Sequence, residues 1–348
     1  PELSPEEVIQ LRKERQVAEI CEFAIDFYNS QLFSNHEIAQ AALGMQLLNS
    51  VADGGRAHSR ESLLDYRVGL SLDNFDELLE LLRGNGYTDD VIEEAQKLIW
   101  VPPYYFIYPY YKDGKLSRIN AKSFMRVCLG NKMDDGRYSR DCAAQFIAGQ
   151  QKMEIDEHMN ETGHVLSGVA YSAGDKRNTF FYKKTKLNPK KLIIVEGEND
   201  AITLHEEMIS RNPEYEKDYL ILAIGGNPPK GVFRSRFIRS FDAIYAMFDN
   251  DQAGVGILEE LNEGAADVPV FQIHYDSDIK DPALYFKSYD EELRSSLEEL
   301  ISEAEPLETH QVVIFKKGGK LNTGKTWIGK NRAFEMVFDI DRYNRKSN

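Results

Sequence analysis

Apolar residues at Val17, Ile20, Cys21, Ala24, Phe27 and Tyr28 recur every three or four positions, the stripe of a helix with one buried face. Upstream, Ser4-Pro5-Glu6-Glu7 is a start signal, with Ser as cap, Pro at the first helical position and acids in the first turn. The pattern predicts a helix over 4–33, a second over 36–50 that breaks by Gly54-Gly55, and two short amphipathic helices over 73–84 and 88–99 around Gly84-Asn85-Gly86. The N-terminal stretch to about residue 100 therefore reads as mostly α. At Pro102-Pro103 the period changes. Tyr104–Tyr111 is aromatic and β-prone, Asp113-Gly114 is a hairpin turn, and Leu116–Phe124 can return as the partner strand. The aromatic run reads as buried strand side chains in preference to a base-stacking surface. Residues 130–165 are polar and read as loops with a helix or two.

From Lys191 the pattern alternates. Strand 192–195 is followed by helix 199–210, strand 219–224, a Gly-Gly-Asn-Pro-Pro loop, helix 231–239, strand 243–248, helix 252–262 and strand 269–274. Alternation at this spacing predicts a mostly parallel sheet with helices on its faces. Residues 282–305 turn helical and acidic again. The expected organisation is an α+β N-terminal subdomain over 1–188, an α/β unit over 189–287 and a small helical/β tail over 288–348.

Composition narrows the class. A chain of 348 residues with 42% hydrophobic content holds ordinary cores in two or three domains. No run approaches the 18 apolar residues of a membrane span, and Pro1–Glu7 has neither the basic nor the apolar region of a secretory signal. Cys21, Cys128 and Cys142 are far apart, forming neither a disulfide framework nor a zinc site, and suit a reducing cytoplasm. The net charge of −15 argues against a general nucleic-acid surface. The charge is uneven, however. Lys112, Lys115, Arg118, Lys122 and Arg126 face only Asp113; Lys176, Arg177, Lys183, Lys184, Lys186, Lys190 and Lys191 form a run without acids; and Lys230, Arg234, Arg236 and Arg239 form another.

Two apolar runs carry the chemistry. Leu192-Ile-Ile-Val-Glu-Gly-Glu-Asn-Asp200 and Ala246-Met-Phe-Asp-Asn-Asp-Gln-Ala-Gly254 each end in acids and glycine where a helix can begin. They place Glu196, Asp200, Asp249 and Asp251 at strand ends, where a parallel sheet presents its chemistry. If Asp249-Asn250-Asp251 is extended, both carboxylates share one side. Such a set suits a hard divalent cation, Mg²⁺ or alternatively Mn²⁺, which keeps waters and open positions for substrate phosphates. Taken singly, Asp200 or Asp251 reads as a helix N-cap; four together at neighbouring strand ends favour the metal.

These two motifs resemble those of the toprim domain, shared by bacterial-type primases, type IA and II topoisomerases and some nucleases and recombination proteins. The likeness covers about 189–287. Three further features resemble DnaG-type primases: Lys280-Asp281-Pro282 after the last strand, the strand-turn-strand of Ile107–Phe124 carrying Lys122, and the N-terminal helices with Phe27-Tyr28, Tyr66–Leu70 and Gly86–Ile92; the Glu-Gly-Glu and Met-Phe-Asp-Asn-Asp spellings also resemble phage helicase–primases. Where that family has a second acid after the proline, this chain has Ala283. The resemblance implies a primase core that joins ribonucleoside triphosphates into RNA primers on a single-stranded DNA template, beside a replicative helicase and away from membranes. It implies catalytic Glu196, Asp249 and Asp251, with Asp200 and Asp281 as further metal ligands. Nucleotide or template would meet Lys122, Lys176, Arg177, Arg234 and Arg236.

The zinc-binding module usual in such primases has no Cys/His cluster to supply it. Gly319–Thr326 fits a phosphate-loop spelling, but too little chain follows for an ATPase domain, and a β-hairpin over 311–328 is the preferred reading. A severed helicase edge, as in fused phage helicase–primases, is its rival. The alternatives for the whole chain are a toprim nuclease, a topoisomerase fragment, for which the chain is too short, and a non-catalytic scaffold.

Overall fold

The computed structural model describes residues 3–50, 55–128, 145–147, 162, 166–226, 228–229, 231–265, 268–288, 294–307, 311–315 and 321–325. Helix α1 (Pro5–Leu32) opens with the Ser4–Glu7 capping box and buries Ile20, Cys21, Ala24, Phe27 and Tyr28. The buried stripe is the one its spacing predicts, and it lies in the C-terminal half of the helix. Tyr28 Oη donates to the Ile99 carbonyl (2.7 Å) at the end of α5 (Asp89–Ile99), fixing the two helices together. Helix α2 (Glu37–Ala42) widens into a π-helical stretch over Leu43–Leu48. Helices α3 (Arg60–Asp65) and α4 (Phe75–Gly84) complete this region.

The first sheet has five antiparallel strands: β1 (Gly69–Ser71), β2 (Tyr105–Lys112), β3 (Lys115–Cys128), β4 (Gln145–Ile147) and β5 (Leu166–Gly174). Asp113 and Gly114 both take positive φ, 50° and 75°, as the tight hairpin between β2 and β3 requires. Phe106, Tyr108, Tyr110 and Tyr111 are buried, so the aromatic run is core. Strand β1 interrupts a region expected to be mostly helical, and β4 falls where loops were expected. Both are short edge pieces whose strand character comes from pairing with β2 and β3.

The second sheet runs β11-β10-β9-β7-β8-β6. Its parallel centre is β7 (Lys191–Val195), β8 (Tyr219–Ala223), β9 (Ala243–Ala246) and β10 (Val270–Gln272); β6 (Phe181–Tyr182) and β11 (Glu305–Pro306) close its edges antiparallel. Helices α6 (Glu198–Arg211), α7 (Gln252–Ala265), α8 (Pro282–Ser288) and α9 (Leu297–Ser302) follow its strands. Two expectations change here. Residues 231–239 form two 3₁₀ turns, Val232–Arg234 and Ile238–Ser240, because Val232, Phe233 and Ile238 are each drawn into the core at a spacing no single α-helix satisfies. Residues 282–305 divide into α8, α9 and edge strand β11.

Phe180 joins the sheets. It exchanges backbone hydrogen bonds with Tyr111 of β2 (2.8 and 3.0 Å) while its neighbours Phe181 and Tyr182 pair with β8. One apolar core runs from α1 and α5 through β2 and β3 to β7–β9 and α7. Strands β12 (Gln311–Phe315) and β13 (Leu321–Lys325) form the expected tail hairpin, so Leu321–Lys325 of the phosphate-loop spelling is strand; 316–320 and Thr326 lie outside the described residues. Among the described residues, no helix is long and apolar enough to cross a membrane.

Candidate active-site cleft

The strand order fixes where chemistry can gather. After β7 the chain adds β8 on one side and then crosses back to place β9 on the other. The ends of β7 and β9 therefore flank a topological switch point, where an open α/β sheet forms a crevice. Glu196 follows β7. Pairing with β7 continues past β9, with Met247 N–H donating to the Ile194 carbonyl (3.0 Å), so Asp249 emerges beside Glu196.

The loop carrying Asp249 and Asp251 is braced from below. Asn250 donates its side-chain amide to the carbonyls of Asp276 (3.0 Å) and Ile279 (2.8 Å), and its backbone N–H to that of Lys280 (2.7 Å). Helix α7 starts so close that a Cβ on Gly254 would strike the Asp249 carbonyl. This bracing brings Lys280 Nζ to 3.9 Å from the Oδ2 of both Asp249 and Asp251. A cationic group thus already stands between the two aspartates.

The acids are crowded, and one of them has an oxygen without a partner. Glu196 Oε2 is buried without a hydrogen-bond partner. Burial, then the Asp251 charge, raise the Glu196 pKa against the pull of Lys280. Burial, Glu196 and Asp281 push Asp249 up to about 6. A buried carboxylate oxygen without a donor, next to a second carboxyl held above its ordinary pKa, leaves negative charge that the described protein groups do not satisfy. Among the described residues no three Asp, Glu, His or Cys side chains close around one point.

Asp200 and Asp281 are placed differently. Both Asp200 oxygens accept backbone N–H groups, from Gly197 and from Ala283 (each 3.1 Å). Burial, then Asp281 and Asp249, raise Asp200 to about 7. Its carboxyl ties the start of α6 to the start of α8. Asp281 Oδ1 accepts the Leu284 N–H (2.7 Å), and Asp251 Oδ1 accepts those of Ala253 (2.9 Å) and Gly254 (3.0 Å), leaving its Oδ2 toward Lys280.

A cavity of about 640 Å³ joins this acidic wall to the antiparallel sheet. Glu196, Asp200 and Asp249 line it together with Arg118, Asn120 and Lys122 of β3 and Lys176. Arg177 is instead exposed and bonded to Asp175 (3.0 Å). Arg234 and Arg236 are exposed and are not among the described residues lining the cavity. The basic run after Lys176 does not form one groove: Lys183 pairs with Asp65 (2.6 Å) and Glu216 (2.8 Å), and Lys184 with Glu22 (3.2 Å).

Sequence reasoning missed Glu198. It is fully buried and accepts from Tyr110 Oη (2.7 Å), Asn120 Nδ2 (2.9 Å) and Lys122 Nζ (2.7 Å). Burial alone would raise its pKa, but Lys122, Asn120 and Tyr110 together hold it down to about 2. The only available signal was the alternation of Arg118, Asn120 and Lys122 along one strand face.

No protein-family model and no curated protein matches this sequence. Solved structures do. The zinc-binding and RNA polymerase domains of the Aquifex aeolicus primase are similar with a TM-score of 0.52 and 16% identity, over 85% of this chain and 62% of that one. A DNA primase domain from Pseudomonas aeruginosa is similar with a TM-score of 0.50 and 17% identity, over 84% and 80%. The chain thus spans less than two thirds of the Aquifex structure. At these identities the likeness is one of fold: the mixed α/β architecture is similar to that of these primase domains.

Proposed function

We propose that this chain is a toprim-containing primase core, synthesising short RNA primers on single-stranded DNA by metal-dependent nucleotidyl transfer, with 189–287 as its catalytic unit, 1–188 as the N-terminal polymerase subdomain and 288–348 as a tail. The observation that carries the reading is the cleft itself: Glu196, with its orphaned oxygen, and Asp249 at the switch point share one cavity with Lys122 and Lys176. Nucleotidyl transfer needs both kinds of wall, one to hold cations and one to hold phosphate.

Glu196, Asp249 and Asp251 would hold Mg²⁺, with Mn²⁺ as the alternative. When bound, the ion supplies Lewis-acid stabilisation of the transferring phosphoryl group and its leaving pyrophosphate. Asp200 and Asp281 act one step back, holding α6, α8 and the Lys280 loop in register. Lys280 offsets the repulsion between Asp249 and Asp251. Lys122 and Lys176 face the triphosphate; Arg177, Arg234 and Arg236, exposed outside the cavity, are left for the template backbone. A replicative helicase is the expected partner.

The test is incorporation of labelled ribonucleotides on mixed-sequence single-stranded DNA with Mg²⁺. Product that disappears in Asp249→Ala supports the proposal. No product, with nucleotides only removed from DNA, makes the chain a nuclease instead.

A further inference from the structure

We propose that Glu198 is a positioning residue, which sets the Lys122 ammonium opposite the acidic strand ends so that a triphosphate can meet both walls at once; this rests on the nucleotidyl-transfer reading above. Arg118, Asn120 and Lys122 alternate along β3 and so share one face. The Arg118 guanidinium is buried over the Tyr110 ring (4.5 Å) and donates to Asn120 Oδ1 (2.5 Å). With its oxygen occupied, Asn120 must present its NH₂ to Glu198. Asn120 (2.9 Å) and Tyr110 (2.7 Å) both donate to Glu198 Oε1, and Lys122 alone takes Oε2 at 2.7 Å. Two neutral donors thus fix the carboxylate, and its remaining oxygen fixes the lysine.

The two partners are unequal. The Glu198 side chain is 2% exposed but that of Lys122 is 47% exposed. The carboxylate is sealed in the fold while the ammonium opens onto the cleft. An ammonium has three donors, and the bond to Glu198 uses one, so the cleft-facing ammonium can still bind phosphate oxygens. A free lysine would have to order four rotors on binding; this one is already aimed. Glu198 opens α6 one glycine after Glu196, so the same turn sets the acidic wall and the lysine. Gly225 makes room for the arrangement: at φ 76° it lies against the Tyr110 hydroxyl, where a Cβ would collide.

The experiment is a set of ribonucleotide titrations in the primer-synthesis assay. Glu198→Gln keeps an acceptor for Tyr110 and Asn120 but turns an NH₂ toward Lys122. KM for ribonucleotide is expected to rise roughly tenfold or more, the size of a lost charge-assisted hydrogen bond, with kcat changed much less. Lys122→Met should raise KM by the same factor, and the double variant should add nothing further. Glu198→Asp, which keeps the charge but withdraws it by one methylene, should give an intermediate rise, and it carries the test if Glu198→Gln does not fold. Wild-type KM in the Glu198 variants alongside a raised KM in Lys122→Met would overturn the inference, as would multiplying effects in the double variant. If the wild-type chain neither incorporates ribonucleotides nor melts later with triphosphate, the functional reading itself falls.

Discussion

Glu196 and Glu198 stand on either side of one glycine and live in opposite surroundings. Glu196 has a buried oxygen with no partner and an elevated pKa. Glu198 is more deeply buried, yet three donors satisfy it and its pKa falls to about 2. Burial alone would raise the pKa of Glu198 the more; partners reverse the order. A carboxylate whose needs the fold meets is architecture, whereas one whose needs the fold leaves open is available to a ligand. The same contrast separates the two walls of the cleft.

The largest expected effect lies on the satisfied side. Glu198→Ala strands Lys122, Asn120 and Tyr110 at once and should cost about 3–5 kcal/mol of folding free energy, measured by urea denaturation. A loss below about 1 kcal/mol would mean that the three bonds are not the brace they look like. On the open side, stability and function should part company. Asp249→Asn should lower primer synthesis by at least about a hundredfold. It should also raise the stability of the metal-free chain by about 0.5–1 kcal/mol, since it removes one of several crowded charges. Equal losses of activity and stability would erase the distinction between the walls.

Acidity offers a third comparison. Asp249 and Asp200 have folded-state pKa values of about 6 and about 7, above the ordinary carboxylate value. The folded chain therefore keeps protons that the unfolded chain has released, and this contribution to stability is lost as pH rises from about 4 through 7. Glu198 and Glu206, both held to about 2, act oppositely: their contribution is complete above about pH 4.5 and is lost as pH falls toward 2. In chelator, the melting temperature should peak near about pH 5 and decline by pH 8, and Mg²⁺ should restore more at pH 8 than at pH 5. A melting temperature that climbs steadily to pH 8 without metal would show that the acidic wall is not crowded.

Smaller effects separate geometry from charge. Gly254→Ala pushes α7 away from the Asp249 carbonyl and should cost about 1–3 kcal/mol, while reducing the stabilisation by Mg²⁺ in the same thermal melts. Ser4→Ala removes the exposed cap of α1, far from either wall, and should cost only about 0.5–1 kcal/mol with primer synthesis unchanged.

Much of this could be read from the chain. The Val17–Tyr28 stripe, the Asp113-Gly114 turn and, outside 231–239, the strand–helix alternation after Lys191 are local signals that became the elements they implied. Strands β1, β4 and β6 were not legible, because two or three residues carry no period and exist only through their neighbours. The span 231–239 looked helical until its apolar residues were claimed by the core. Charge runs say least about where a side chain ends up. Lys183 and Lys184 resemble a phosphate-binding surface in sequence, yet in the fold they answer Asp65, Glu216 and Glu22, which lie far away along the chain.

By itself the sequence determined that Glu196, Asp249 and Asp251 would follow buried strands, because each apolar run gives way to acid and glycine: Glu196 comes directly after β7, and Asp249 and Asp251 lie on the loop after β9. Only the tertiary structure decided which acids remain open. Asp200 looks like Asp249 on paper, but Gly197 and Ala283 claim both its oxygens. Glu198 looks like Glu196, but a strand some eighty residues earlier supplies Asn120 and Lys122. A carboxylate's chemistry depends on the donors within about 3 Å of it, and the spacing of residues along a chain does not say which donors those will be.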